Sequence, residues 1–176
     1  DPETGKPLVD VILDKAGQKG TGKWTVAHAT ELGVPLSVIG SAVEARILSS
    51  IKDERVAASK ELPVPEVPTF TGDRQALIDA VRDALYASKI ISYAQGFVQL
   101  GAADKLYDWD LNFSDISSIW RGGCIIRARF LNHITEAYRK NPDLKNLILD
   151  PYFRDIIGKT QAHWRTAVKT AITHGV

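Results

Sequence analysis

Twelve residues, DKAGQKGTGKWT at positions 14–25, hold the chain's densest set of groups suited to chemistry. Gly17 followed five residues later by Gly22-Lys23 has the spacing of a P-loop, in which backbone amides wrap a phosphate and a lysine adds charge. A P-loop continues with Ser or Thr, whose hydroxyl holds Mg²⁺. Here the next residue is Trp24, which cannot do so. A P-loop also follows a strand, and PLVDVIL (7–13) is the one segment that reads as a short strand. No parallel sheet is expected elsewhere, so an NTPase is disfavoured. The ingredients of phosphate binding survive the mismatch. Three glycines permit close backbone approach, a helix N-terminus is expected near Lys23, and Lys19, Thr21 and Lys23 supply two charges and a hydroxyl. The same residues also describe a glycine-rich turn with solvated lysines, and the spacing leaves both readings open.

Arg46, in SAVEARILSS, is the second candidate, a lone guanidinium among small and apolar residues. Such an arginine pairs with a nearby carboxylate, here Glu44 or Asp53, or takes a phosphate in bidentate fashion. The sequence alone does not choose. His28, His133, His163 and His174 are scattered, without the spacing of a metal site. No Gly-x-Ser-x-Gly is present, and no Gly-x-Gly-x-x-Gly opens a helix after a strand. Arg121, Arg127 and Arg129 lie close in sequence but on different sides of a helix, which predicts structural ion pairs. Tyr86, Tyr93 and Phe97, at helical spacing, predict core or interface.

The elements that must position these residues are helical, and the fold class is all-α. Gly22–Leu32 reads as a short helix ended by Gly33. Pro35 suits a first turn, and apolar Val38, Ala42, Val43, Ile47, Ile51 and Val56 predict one helix running on to about residue 62. The charges of SSIKDERVAASKEL read as its solvated face, with i,i+3 and i,i+4 pairs. LPVPEVPTF, with prolines at 63, 65 and 68, is an extended connector between two helical parts. A long central helix follows from the N-cap Asp73 to Leu100, before Gly101. Ser114–Trp120 is a short helical turn and Gly122-Gly123 interrupts it. Cys124–Tyr138 is predicted as helix, with Cys124 in its core and Ile125, Ala128, Leu131, Ile134 and Tyr138 facing inward. Asp150-Pro151, an N-cap and a first-turn proline, opens the last helix toward His174.

At 176 residues with 44% apolar and 24% charged content, the chain supports one well-buried core. A formal charge of +1 gives no reason to expect nucleic acid or an anionic membrane as partner. One cysteine excludes an internal disulfide, and no apolar run nears the about 20 residues that span a bilayer. A cytoplasmic setting fits. A chain without methionine that opens Asp1-Pro2 and stops at Gly175-Val176 reads as a piece of a longer protein.

Taken together, DKAGQKGTGKWT, SAVEARILSSIKDER, ISYAQGF and IWRGGCIIRARFL resemble the 6-phosphogluconate dehydrogenase family, in order and over nearly the whole chain. The resemblance implies that residues 1–176 are part of a C-terminal all-α domain for substrate binding and dimerisation, which follows a Rossmann domain binding NADP. It implies oxidative decarboxylation of 6-phosphogluconate to ribulose 5-phosphate and CO₂ by a homodimer, without a metal. By motif, Lys19, Thr21 and Arg46 correspond to contacts with the substrate phosphate. The family's catalytic lysine and glutamate would lie before Asp1, and its C-terminal tail after Val176, so no catalytic residue is assigned and this piece alone is expected to be inactive. The competing expectation is a helical oligomerisation module without catalysis of its own.

Overall fold

Where apolar residues recur at helical spacing and a side chain can cap the first amides, this sequence forms helix. The computed structural model describes residues 1–64 and 66–176. The helices are α1 (Leu8–Val11), α2 (Thr21–Glu31), α3 (Ser37–Ser50) and α4 (Lys52–Glu61), then α5 (Arg74–Tyr107), α6 (Phe113–Ile119), α7 (Leu131–Lys140) and α8 (Pro151–Thr173). A 3₁₀ turn, Leu147–Leu149, precedes α8. No strand occurs among the described residues, and the all-α expectation holds. The connector after Glu61 is neither helix nor strand at Pro63, Val64 and 66–71. Pro65, the middle proline of that expectation, lies outside the described residues.

The two strongest starts are where the capping residues put them. Asp73 accepts from the amides of Gln75 (2.8 Å) and Ala76 (3.2 Å), and Asp150 accepts from Tyr152 (3.0 Å) ahead of Pro151. The helices they open, α5 and α8, pack antiparallel. His163 on α8 meets Asp83 on α5 at 2.6 Å, and His174 at the α8 C-cap reaches the Pro68 carbonyl just before α5 begins. Between them and α6–α7 lies the core, in which Ile90, Phe97, Leu131, Ile134, Leu147 and Phe153 are fully buried. Phe97 sits among the rings of Phe113, Trp120 and Tyr138, at centroid distances of 5.6, 5.4 and 4.9 Å. Tyr93 is buried and Tyr86 half-buried, so the aromatic stripe belongs to the core. The surrounding apolar side chains push the Tyr86 phenol up to about 12, with its hydrogen bond to Tyr152 adding to the rise.

Several boundaries differ from expectation, each for a physical reason. Residues 7–13 are not a strand. Pro7 opens the single turn α1, every residue of the segment is exposed, and among the described residues there is no strand to pair its backbone. The helix expected from Pro35 onward breaks at Ile51, because side chains take the carbonyls that would continue it. Ser50 Oγ donates to Ile47 O (2.6 Å), and Arg55 donates to Leu48 O (3.1 Å) and Ser49 O (3.3 Å). The long helix runs through Gly101 to Tyr107, since Gly101 packs under the Phe113 ring. Asp108, at φ 54°, ends it instead.

Helix also fails to form over Cys124–Phe130. Gly123 turns the chain at φ 64°, and the Tyr93 hydroxyl donates to the Ile126 carbonyl, claiming an acceptor the helix would need. Cys124 is therefore a half-buried turn residue, outside any helix core, and Ile125 points wholly into solvent. The arginine ion pairs are likewise replaced. Arg121 donates to Ser118 O (3.0 Å), Ser118 Oγ (2.8 Å) and Asn132 Oδ1 (3.1 Å), and among the described residues none of Arg121, Arg127 and Arg129 meets a carboxylate.

Candidate phosphate site

The glycine-rich segment enters α2 as a loop. Gly20 is the N-cap, at φ 107°, a left-handed conformation that a side chain would strain. Having no side chain, it caps nothing, so the amides of Thr21, Gly22 and Lys23 have no partner inside the helix. These N–H groups and the positive end of the helix dipole face the loop that carries Lys19. Lys19, Thr21 and Arg46 are all exposed. Helix α2 thus starts at Thr21, close to the predicted Lys23.

Helix α3 meets the first turn of α2 at one point and the loop at another. A β-carbon on Gly22 would meet Val43 Cγ2 at 2.8 Å, so the missing side chain sets how closely α2 and α3 approach. One turn on, Arg46 Nε donates to the Gly17 carbonyl at 2.6 Å. Neither Glu44 nor Asp53 pairs with it; no ion pair of Arg46 occurs among the described residues. Its guanidinium is thereby fixed through Nε on the loop that leads to Lys19 and Thr21. The predicted charge pairs along 50–62 are absent among the described residues. Arg55 instead reaches Asp14, Nη1 to Oδ2 at 3.1 Å. Sequence reasoning missed this contact with Asp14, together with Ser49 and Lys52. Their partners in the loop lie 33 to 41 residues away, a separation that leaves no periodic trace.

Beside the α2 N-terminus an open apolar cleft of about 870 Å³ is bordered by Thr21, Trp24, His28, Tyr93, Trp109 and Trp120. The Trp24 ring lies against Gly20, and His28 Nε2 is 3.1 Å from the Tyr107 hydroxyl. Because a loop, with no strand, precedes α2, the P-loop reading fails on the backbone as well as on Trp24. No three His, Cys, Asp or Glu side chains gather into a metal cluster among the described residues. Among the described residues no helix is long and apolar enough to cross a membrane.

The family model described as 6-phosphogluconate dehydrogenase, C-terminal domain, matches residues 1–176. The chain belongs to this family. The NADP(+)-dependent, decarboxylating 6-phosphogluconate dehydrogenase of Bacillus subtilis is 56% identical over 176 residues, which is 100% of this chain and 38% of that protein. The decarboxylating 6-phosphogluconate dehydrogenase 1 of Saccharomyces cerevisiae is 53% identical over 177 residues, covering 100% and 36%. The human enzyme is 52% identical over 172 residues, covering 98% and 36%. The chain thus spans a little over a third of the length of these relatives. Among solved structures, Plasmodium falciparum 6-phosphogluconate dehydrogenase superposes with a TM-score of 0.91 at 40% identity, over 99% of this chain and 38% of that one. That enzyme is described in its apo form, with its cofactor NADP+ and with its substrate 6-phosphogluconate.

Proposed function

We propose that this chain supplies the phosphate anchor and much of the dimer interface of an NADP-dependent, decarboxylating 6-phosphogluconate dehydrogenase. The whole enzyme would act in the cytoplasm, converting 6-phosphogluconate to ribulose 5-phosphate and CO₂. The observation that carries the anchor is the Arg46–Gly17 hydrogen bond, which ties a guanidinium to the loop bearing Lys19 and Thr21 at an uncapped helix N-terminus. Lys19 and Arg46 would neutralise the phosphate, while Thr21 and the first amides of α2 would donate hydrogen bonds to its remaining oxygens. Such an anchor holds the sugar from its far end. It contributes binding energy that orients the reacting carbons and accelerates nothing by itself.

The described residues do not fit NADP. They form no strand and no glycine-rich turn from strand to helix, the elements that build a dinucleotide site. In this reading the dinucleotide, the general base and the general acid belong to a preceding domain and its junction, and a C-terminal tail follows. The isolated chain is then inactive. Dimerisation is supported by apolar side chains left on the two longest helices. Ile78, Val81 and Leu85 of α5 are 50%, 50% and 70% exposed, and Trp164, Val168 and Ile172 border a groove along α8. A mass that stays monomeric across concentrations in analytical ultracentrifugation would remove these surfaces as the interface.

Calorimetric titration of the 176-residue chain with 6-phosphogluconate tests the anchor. Saturable binding is expected, and Lys19→Ala should abolish or greatly weaken it. Equal binding by both proteins rejects the assignment of Lys19.

A further inference from the structure

Residues Leu13–Gly20 form no regular structure, and none of their side chains is fully buried. Packing therefore cannot hold the loop in one shape. Its backbone is held instead, group by group, by side chains of the α3–α4 junction. Lys52 Nζ donates to Leu13 O (2.5 Å), and Arg55 Nη2 donates to Asp14 O (2.8 Å). Ser49 Oγ accepts from the Ala16 amide (3.0 Å), and Arg46 Nε donates to Gly17 O. Asp14 sits at φ 54°, a left-handed conformation that persists only where neighbours impose it. The Arg55 guanidinium imposes it by binding the side chain and the carbonyl of this one residue. Its other bonds go to Leu48 O and Ser49 O, at the helix break before Ile51. A planar fork thus joins the end of α3 to the start of the loop.

We propose that Arg55 and Ser49 are positioning residues of the phosphate anchor, acting through the Asp14–Gly17 backbone to place Lys19, Thr21 and the α2 N-terminus for a phosphorylated sugar acid. This rests on the anchor reading above. Arg55 works by geometry more than by charge, since a lysine there keeps the charge but has no fork to span Asp14 and the last carbonyls of α3.

The test uses the full-length enzyme and measures kcat, the KM for 6-phosphogluconate, the KM for NADP and the melting temperature. Arg55→Lys should raise the KM for 6-phosphogluconate about tenfold, with kcat and the KM for NADP within about twofold. Ser49→Ala, which removes the Ala16 contact alone, should act in the same direction and more weakly. In a Lys19→Ala background Arg55→Lys should add less than about twofold, because a misplaced loop matters little once its lysine is gone. An unchanged KM in Arg55→Lys and Ser49→Ala, with a raised KM in Lys19→Ala, overturns the positioning role and leaves the anchor standing. A KM that rises by the same factor in both backgrounds, with a lowered melting temperature, also overturns it, as the mark of general destabilisation. If Lys19→Ala and Arg46→Ala are themselves silent, the anchor falls and the positioning role falls with it. Should Arg55→Lys not fold, Ser49→Ala with and without Lys19→Ala decides by the same criteria.

Discussion

Helices α5–α8 and the limb formed by α1–α4 are held by different forces. From α5 onward, aromatic and aliphatic side chains interlock around Phe97 and Phe153, and exclusion of water from apolar surface fixes the geometry. Before the connector only Ala29 and Leu36 are buried, and α3 and α4 contain no buried residue. Directional hydrogen bonds from side chain to distant backbone do the positioning there, as at Arg46–Gly17 and Arg55–Asp14. The difference teaches where each kind of position can be used. A packed core locates atoms well but hides them from solvent. A polar frame leaves lysine, threonine and amide groups open to an anion while still giving them an address.

That contrast can be broken first in the core. Phe97→Ala should cost about 3–5 kcal/mol of stability, because three rings lose their common contact and the cavity cannot collapse. Denaturant unfolding measures it, and a loss below about 1 kcal/mol would mean the aromatic cluster does not dominate the fold. The limb should answer differently. Lys19→Ala and Arg46→Ala should each weaken binding of the phosphorylated substrate by about 1.5–3 kcal/mol, the range of a charged hydrogen bond, with the unfolding midpoint unmoved. A midpoint shift comparable to that of Phe97→Ala would erase the distinction between the two regions.

The smallest effect sharpens the contrast by pH. Asp83 lies between α5 and α8, where the hydrogen bond from His163 holds its carboxyl below the ordinary 3.8. Partial burial opposes that fall, and Arg82 assists it. A carboxyl with a depressed folded-state value contributes stability above its unfolded-state value and loses it as the pH falls through the folded one. Melting curves of the parent chain and Asp83→Asn should therefore differ near neutrality and converge in acid. A constant gap at every pH sinks this account of the pair.

What was legible in the sequence follows the same division. Asp73 and Asp150-Pro151 announce helix starts because a cap acts on amides two or three residues away, and both caps form. Gly33, at φ 66°, stops α2 where the sequence placed its end. The break at Ile51 and the loss of helix over Cys124–Phe130 were not legible. Each depends on a side chain bonding to a carbonyl, Arg55 to Leu48 and Tyr93 to Ile126, and no apolar period reports that. Gly101 misleads for a related reason, since the ring above it comes from α6. In the candidate phosphate site the sequence supplied the chemistry of Lys19, Thr21 and Arg46. It could not supply the frame, whose contacts span 29 to 41 residues.

The stretch of α3 from Val43 to Arg46 has a consequence for how this limb can vary. Val43 is seated against Gly22 and Arg46 is bonded to Gly17, so one helical turn is fastened to the chain at both ends. Inserting or deleting a single residue between them would swing Arg46 by about 100° around the helix and slide it about 1.5 Å along the axis. The exposed side chains nearby are free to drift in composition, but this turn is not free to change in length.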